Sequence, residues 1–490
     1  MSTARLGHGN SLMLGKVHSQ SYTFVQRWIP LLLGVAFGVF AARLIASEAW
    51  HFLVPLVLAV PVIVLFTRYP FAAILIWLLV FPYFAEGSDA AMRYVYWIVH
   101  RAMIPGVLGI TILWKLTLKK REPGKLGLSE LALGGFLLLA VFNIILLSHK
   151  PLASLIYLYD RSFVPFCAYM LIRLTAPKET DLRHLLPVAF LTIPLQFAVS
   201  LLSWFKPQLL PAVWLELPPG RTSGTFGDIA IYTSTLIFLS LLLFQYANHC
   251  ARRWLRFALF SVVLVAFFGV FFSFSRGSWL GGLLVLVGLG VLYPKTTVRS
   301  AMVLAIVVLI LGTTVFQKEM TWASERLESR ESAESRIPQF VAALRMIGEK
   351  PLFGWGSDNY NYEVRQFTTH VGDIRYTKIH SSHNSTLTIL VEMGIIGFFF
   401  SAFPVAWWLM WTIKNWQRLP RDGLWSRQLV VMLWLSMLNL LVVSCFHDIV
   451  SNVNPFGLTL FWITVGFISN MVGPHLGPAQ WRPRLGGVKF

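Results

Sequence analysis

The sequence predicts an all-α polytopic membrane protein of about 12–14 transmembrane helices, and three observations carry that prediction. First, 56% of the 490 residues are hydrophobic and only 13% charged, with a mean hydropathy of +0.64. A soluble globular chain runs at roughly 45–50% apolar and about 25% charged. Second, the apolar residues gather into runs long enough to cross a bilayer, at about 20 residues per crossing. Third, Lys and Arg cluster between those runs in alternation, as orientation in a membrane requires. A soluble enzyme, a disordered chain, a secreted disulfide scaffold and an outer-membrane barrel are excluded.

The runs fall near 28–46, 51–67, 70–85, 100–117, 128–147, 152–174, 183–203, 229–247, 254–273, 278–293, 298–316, 385–413, 428–446 and 455–472. Several are short for a bilayer of about 30 Å, which leaves the helix count a range. Arg5, Lys16 and Arg27 precede the first run without a small-residue cleavage site, so that run is expected to stay in the membrane. A net charge of +19 would point to nucleic acid in a soluble chain. Here basic residues are expected to line cytoplasmic loops instead, and no nucleic-acid partner is expected. With the N-terminus inside, the basic segments 115–121, 173–183, 252–256, 295–299 and 414–427 all fall inside, as does the tail with Arg482, Arg484 and Lys489. Both termini are then cytoplasmic, and the longest polar segment, 317–384, lies outside.

Three regions follow: an N-terminal helix bundle at 1–316, a large outer loop at 317–384, and C-terminal helices with a basic tail at 385–490. Within the loop, 321–349 reads as largely helical, with Ile337, Phe340, Val341, Leu344 and Ile347 forming an apolar face. Pro351, Gly354 and Gly356 end that helix. Glu325, Glu328, Glu331 and Glu334 interleave with Arg326 and Arg330, which favours a solvated, salt-bridged helix over a metal site. Cys167, Cys250 and Cys445 lie within or beside apolar runs, without paired or metal-ligand spacing.

Outer arginines oppose the positive-inside bias and are therefore informative. Arg221 follows Pro218-Pro219-Gly220, Arg276 sits between two apolar runs at membrane depth, and Arg336 opens an amphipathic stretch. An arginine near the hydrocarbon boundary is costly, and guanidinium forks onto phosphate oxygens. Snorkelling to lipid head groups is the alternative for any one of them; together on one face they favour an anion site. His380 and His383 stand where the loop meets the next span, and a neutral imidazole there can take a proton from an attacking hydroxyl. At i and i+3 the two lack the further ligands a metal needs, and no metal or other cofactor is expected. Asp448, beside His447, either orients an imidazole or sugar, or merely caps a short loop. Asn384 is placed to cap the following span or to touch substrate. Gly394 and Gly397 are expected to allow close helix packing beneath the site. Asp160 and Arg161, inside an apolar run beside Tyr159, read as an internal ion pair or a lipid-phosphate contact.

These residues carry a resemblance. Ser275-Arg276-Gly277, then Arg336 with Ala342-Ala343-Leu344-Arg345-Met346-Ile347 and Pro351-Leu352-Phe353-Gly354-Trp355-Gly356, then His383-Asn384 followed nine residues later by Gly394-x-x-Gly397, resemble the bacterial O-antigen ligase and polymerase superfamily. The resemblance covers roughly 260–400 in its motifs and the whole chain only in its hydropathy. It implies a GT-C-like integral-membrane glycosyltransferase on the periplasmic face of a Gram-negative inner membrane. The implied donor is a glycan on undecaprenyl diphosphate, the acceptor lipid A–core oligosaccharide, and membrane lipid the surroundings. His383 would be the general base, Arg276 and Arg336 would neutralise the diphosphate, and Arg221, Asn384, Asp448 and His380 would contact substrate. An O-antigen polymerase uses the same donor, and Arg345 to Gly356 fits its Arg-x10-Gly pattern once; the complete His-Asn-x9-Gly-x-x-Gly element favours ligase. A protein O-glycosyltransferase of the same superfamily is a third reading. A lipid or polysaccharide transporter is the alternative of a different class, opposed by polar features concentrated on one face.

Overall fold

The computed structural model describes residues 53–84, 90–117, 126–215, 221–317, 321, 324, 336–368, 382–450 and 454–473. The run at 28–46, the acidic repeat at 325–334, His380 and the basic tail lie outside the described residues. The chain forms two compact units, Met1–Arg68 and Tyr69–Phe490. The described part of the first is helix α1, Leu53–Arg68.

The second unit contains α2 (Ala72–Val80), α3 (Met92–Thr117), α4 (Leu128–Leu147), α5 (Pro151–Thr175), α6 (Glu179–Phe205) and α7 (Ile229–His249). It continues with α8 (Arg253–Phe271), α9 (Arg276–Leu292), α10 (Pro294–Thr314), α11 (Ile337–Glu349), α12 (Ser385–Asn415), α13 (Arg427–Ser444) and α14 (Phe456–Val472). Among the described residues every regular element is helical. Nine helices there are long and apolar enough to cross a membrane, and α9 and α14 are shorter apolar helices. The protein is an all-α, multi-pass membrane protein.

Helix α7 is the centre of the packing. It touches α6, α8, α9, α13 and α14 and is buried on every face from Ile229 to Gln245. Its sequence is apolar all round, as a core helix requires. Its buried hydroxyls are satisfied by donating back to the preceding turn, Thr233 to Ile229 O at 2.9 Å and Thr235 to Ile231 O at 2.7 Å. Helix α9 lies close against α13 because it offers glycines there. A Cβ on Gly281 would stand 2.3 Å from Asn439 Oδ1, and one on Gly288 2.4 Å from a Leu435 methyl. Small residues of this kind let two membrane helices approach closely. The approach sets the start of α9, with Arg276, beside the end of α13, with His447.

The turns at 351–356 and Gly394 fit into one another. Trp355 N donates to Val391 O (2.8 Å) and Gly356 N to Glu392 O (3.0 Å), while Ile395 N donates to Pro351 O (2.8 Å) and Ile396 N to Leu352 O (3.2 Å). The exchange breaks α12 at Gly394, whose φ of 65° and ψ of −171° belong to a region open essentially to glycine alone. A Cβ on Gly394 would lie 2.2 Å from Leu352 O, and one on Gly354 2.5 Å from the Glu392 carbonyl carbon. The expected role of Gly394 in helix packing is thus corrected: it receives a loop, not another helix. Gly397 likewise faces its own helix, where an added Cβ would meet Met393 at 2.3 Å.

The expected apolar face of α11 is also corrected. Pro338, Gln339, Ala342, Ala343 and Met346 are buried, whereas Ile337 and Leu344 are 55% and 59% exposed. The two alanines are small enough to let α11 lie close on α12, with Val391 and Leu387 in the same cluster. Of the bulkier stripe, Ile347 packs at the edge of that cluster and Phe340 and Val341 are half-buried, while Ile337 and Leu344 face outward.

Candidate active site

Arg221 opens a described segment pinned into the bundle by Gln196 of α6. Gln196 Nε2 donates to Thr225 Oγ1 at 2.7 Å and its Oε1 accepts from Thr225 N at 2.9 Å. Thr225 Oγ1 in turn donates to Pro82 O at 2.6 Å, and Thr222, Ser223 and Thr225 are all buried. Asp228 ends the segment by capping α7, accepting from Ile231 N at 2.8 Å. Arg276 is the first residue of α9, whose cap is Ser275, accepting from Ser278 N. Phe274 before it adopts a left-handed φ of 51°, a strained setting for a bulky residue. It is held there by Phe268, Phe272 and Phe316. Arg336 stands at the cap of α11.

His383 also has a left-handed φ of 51°, between Ser382 and the Asn384 cap of α12. Asn384 Oδ1 accepts from Leu387 N at 3.1 Å, and its Nδ2 donates to Cys445 O at 3.5 Å. The capping role anticipated from sequence is therefore the one its side chain performs. Ser385 Oγ accepts from Ile449 N at 2.9 Å, so the start of α12 is tied to the chain leaving α13. Asp448 is buried, accepting from Thr388 Oγ1 at 2.5 Å, with Ser382 Oγ 3.3 Å away. Those contacts tie it to the residues on either side of His383 and Asn384, away from an open face.

Electrostatics gather these pieces into one cluster. Burial, then the guanidiniums of Arg221 and Arg276, press Arg336 below the usual arginine value. Burial, then Arg336, holds His383 below the ordinary imidazole value, while Asp448 pulls the other way. His447 is pushed down to about 4 by burial, with Arg336, His383 and Arg221 adding to the effect and Asp228 opposing it. Its Nε2 lies 3.4 Å from Ser275 Oγ. Charges from three separate segments thus act on one another, with Arg336 bearing on both imidazoles and Arg221 on His447. From the sequence, His447 falls on the same side without a role, Ser275 enters only as a motif neighbour of Arg276, and Asp228 does not enter. The spacing of α9 and α13 brings them in, and no linear motif reports that spacing. Arg345, by contrast, is not part of the cluster: its Nη1 donates to Phe367 O at 3.2 Å. Among the described residues no three His, Cys, Asp or Glu side chains are grouped to hold a metal ion.

Such a cluster can hold a phosphate-bearing anion and offer it a base. Guanidinium charge would meet developing negative charge on the phosphate oxygens, and a neutral imidazole beside it would accept a proton. Fold and cluster together define a polytopic helical membrane protein with a cationic cluster where several of its helices begin or end. Residues 260–402 match the family model described as O-antigen ligase, and over that stretch the chain is similar to the O-antigen ligase and polymerase superfamily. The match includes Arg276, Arg336, His383 and Asn384, and ends before His447 and Asp448. It supports an O-antigen ligase-type function with lipid-linked glycan substrates. A search of curated proteins finds no match to the chain.

Proposed function

We propose that the protein is an O-antigen ligase, transferring O-antigen polysaccharide from undecaprenyl diphosphate to lipid A–core oligosaccharide. What supports this reading is the electrostatic link of Arg221 and Arg276 to Arg336, and of Arg336 to His383. In the mechanism, His383 takes the proton of the acceptor hydroxyl while its oxygen bonds to the anomeric carbon of the donor. The bond from that carbon to the diphosphate breaks, and undecaprenyl diphosphate leaves with the electron pair. The arginines neutralise the charge that builds on it. Attack opposite the leaving group inverts the anomeric centre. Asp448 orients the imidazole. The basic loops support cytoplasmic termini and a periplasmic site in the inner membrane.

The test uses purified protein in nanodiscs with an undecaprenyl diphosphate-linked glycan, core lipopolysaccharide and EDTA. Mass-shifted lipopolysaccharide with the wild type, absent with His383→Ala, is the expected result. Longer glycans on the lipid diphosphate without any lipopolysaccharide product would make the protein a polymerase. A product linkage of retained configuration would overturn the single displacement.

A further inference from the structure

Arg161 is a buried charge that the chemistry above leaves without a task. It does not pair with its neighbour Asp160, which is instead held by Arg101 through Nε at 2.8 Å and Nη2 at 2.6 Å. Nor does it face lipid, being 8% exposed. The helix widens into a π-turn at Tyr159–Phe163, a local feature common at functional sites. From it Arg161 reaches across the bundle. Its Nη1 donates to Val450 O at 3.1 Å, two residues beyond Asp448, and its guanidinium carbon lies 3.1 Å from the Tyr157 ring centre.

Three acidic side chains, Asp358, Glu392 and Asp448, act on it electrostatically without direct contact. Each is fixed by its own hydrogen bond: Asp358 accepts from Ser154 Oγ at 3.4 Å, Glu392 from Tyr360 N at 3.4 Å and Asp448 from Thr388 Oγ1. Glu392 and Asp448 are buried and Asp358 is half-buried, and taking a buried cation out of their surroundings leaves the negative charge uncompensated.

We infer that Arg161, from the N-terminal helices and outside the 260–402 match, is a positioning residue for glycan transfer. It supplies the countercharge to Asp358 and Asp448 and anchors the Val450 carbonyl, so that the chain carrying Asp448 keeps its shape. This rests on the reading of His383 as the base. Arg161 itself touches no substrate.

The nanodisc assay tests it with Arg161→Gln, Arg161→Lys, Asp358→Asn and the double variant Arg161→Gln/Asp358→Asn, each checked for monodispersity. Arg161→Gln is expected to lose about a hundredfold in kcat, the scale of a roughly 1 Å misplacement, with donor KM changed by less than about threefold. Arg161→Lys keeps the charge and most of the activity. Asp358→Asn should stay within about threefold of wild type, since Asn accepts left-handed backbone and Asp358 has a φ of 63°. The double variant should regain about tenfold or more over Arg161→Gln, because the excess negative charge is gone. A fully active Arg161→Gln overturns the inference, as does a monodisperse double variant no better than the single. Should Arg161→Gln aggregate, a monodisperse but inactive double variant, or an inactive Arg161→Lys, overturns it equally. His383→Ala separates the two readings: if it is inactive while the Arg161 variants match wild type, only the role of Arg161 falls. If His383→Ala is active, the base assignment falls and the role of Arg161 with it.

Discussion

At His383 two fields compete: burial and Arg336 favour the neutral imidazole, and Asp448 favours the cation. The first two prevail, so the imidazole is neutral at neutral pH and, on the proposed reading, able to serve as a base there and somewhat below the ordinary histidine range. Replacing it with Ala should lower kcat by about 10²–10⁴-fold, the usual worth of a general base. In wild type, kcat/KM should fall only as pH drops through the lowered pKa. Removing the positive neighbour raises that pKa, so Arg336→Gln should move the acid limb to higher pH while also reducing the rate. A pH profile of kcat/KM for both proteins checks the sign; an unmoved limb would mean that Arg336 does not face the base. His383 and the three arginines stood out in the sequence because each opposes a general bias, a histidine at an expected membrane boundary or a cation on the side expected to be outer. His447 could not, because its importance lies in what stands across from it: Ser275, Asp228 and the arginines.

At the scale of the element, the most consequential feature is the break in α12. Four backbone hydrogen bonds join the 351–356 turn to the two sides of Gly394, and the helix that begins at the Asn384 cap is thereby held at a fixed angle to α11. Gly394→Ala places a methyl 2.2 Å from Leu352 O in a backbone region closed to alanine. It should cost roughly 1–3 kcal/mol of strain or more and appear as a lower melting temperature together with lost activity. Gly348→Ala, where nothing lies within 4 Å of the added carbon, is the control and should be neutral or slightly stabilising, because alanine favours the helix. The glycines of both motifs were visible in the sequence, and their partnership was not. A loop-to-helix exchange leaves no periodicity. The same holds for α11, where the stripe of large apolar residues drew the face, yet close contact with α12 selected Ala342 and Ala343.

For the molecule as a whole, the cluster puts cations and imidazoles together where several helices begin or end, and folding has to bear that cost. An imidazole whose folded pKa lies below its unfolded value takes up a proton in the unfolded state first. His447, at about 4 when folded against about 6.5 unfolded, therefore lowers stability progressively as pH falls from about 6.5 towards 4. His383 acts in the same direction. Thermal unfolding between pH 7.5 and pH 5 should show a falling melting temperature, with a shallower decline in His447→Gln. An equal decline in the two proteins would mean that His447 is not held neutral by the fold. The anion that the arginines attract should offset part of the cost, since any ligand binding only the folded state stabilises it. By itself the sequence determined the class and the span plan, because a bilayer demands long apolar helices and hydropathy reports them directly. It also determined the motif residues that mark the superfamily. The tertiary structure decided which of these residues meet: glycines on α9 bring Ser275 to His447, the break at Gly394 fits α12 to the 351–356 turn after α11, and a π-turn carries Arg161 to the Val450 carbonyl. Those are choices of helix approach and backbone geometry, made by side chains far apart in the chain, and no linear pattern records them.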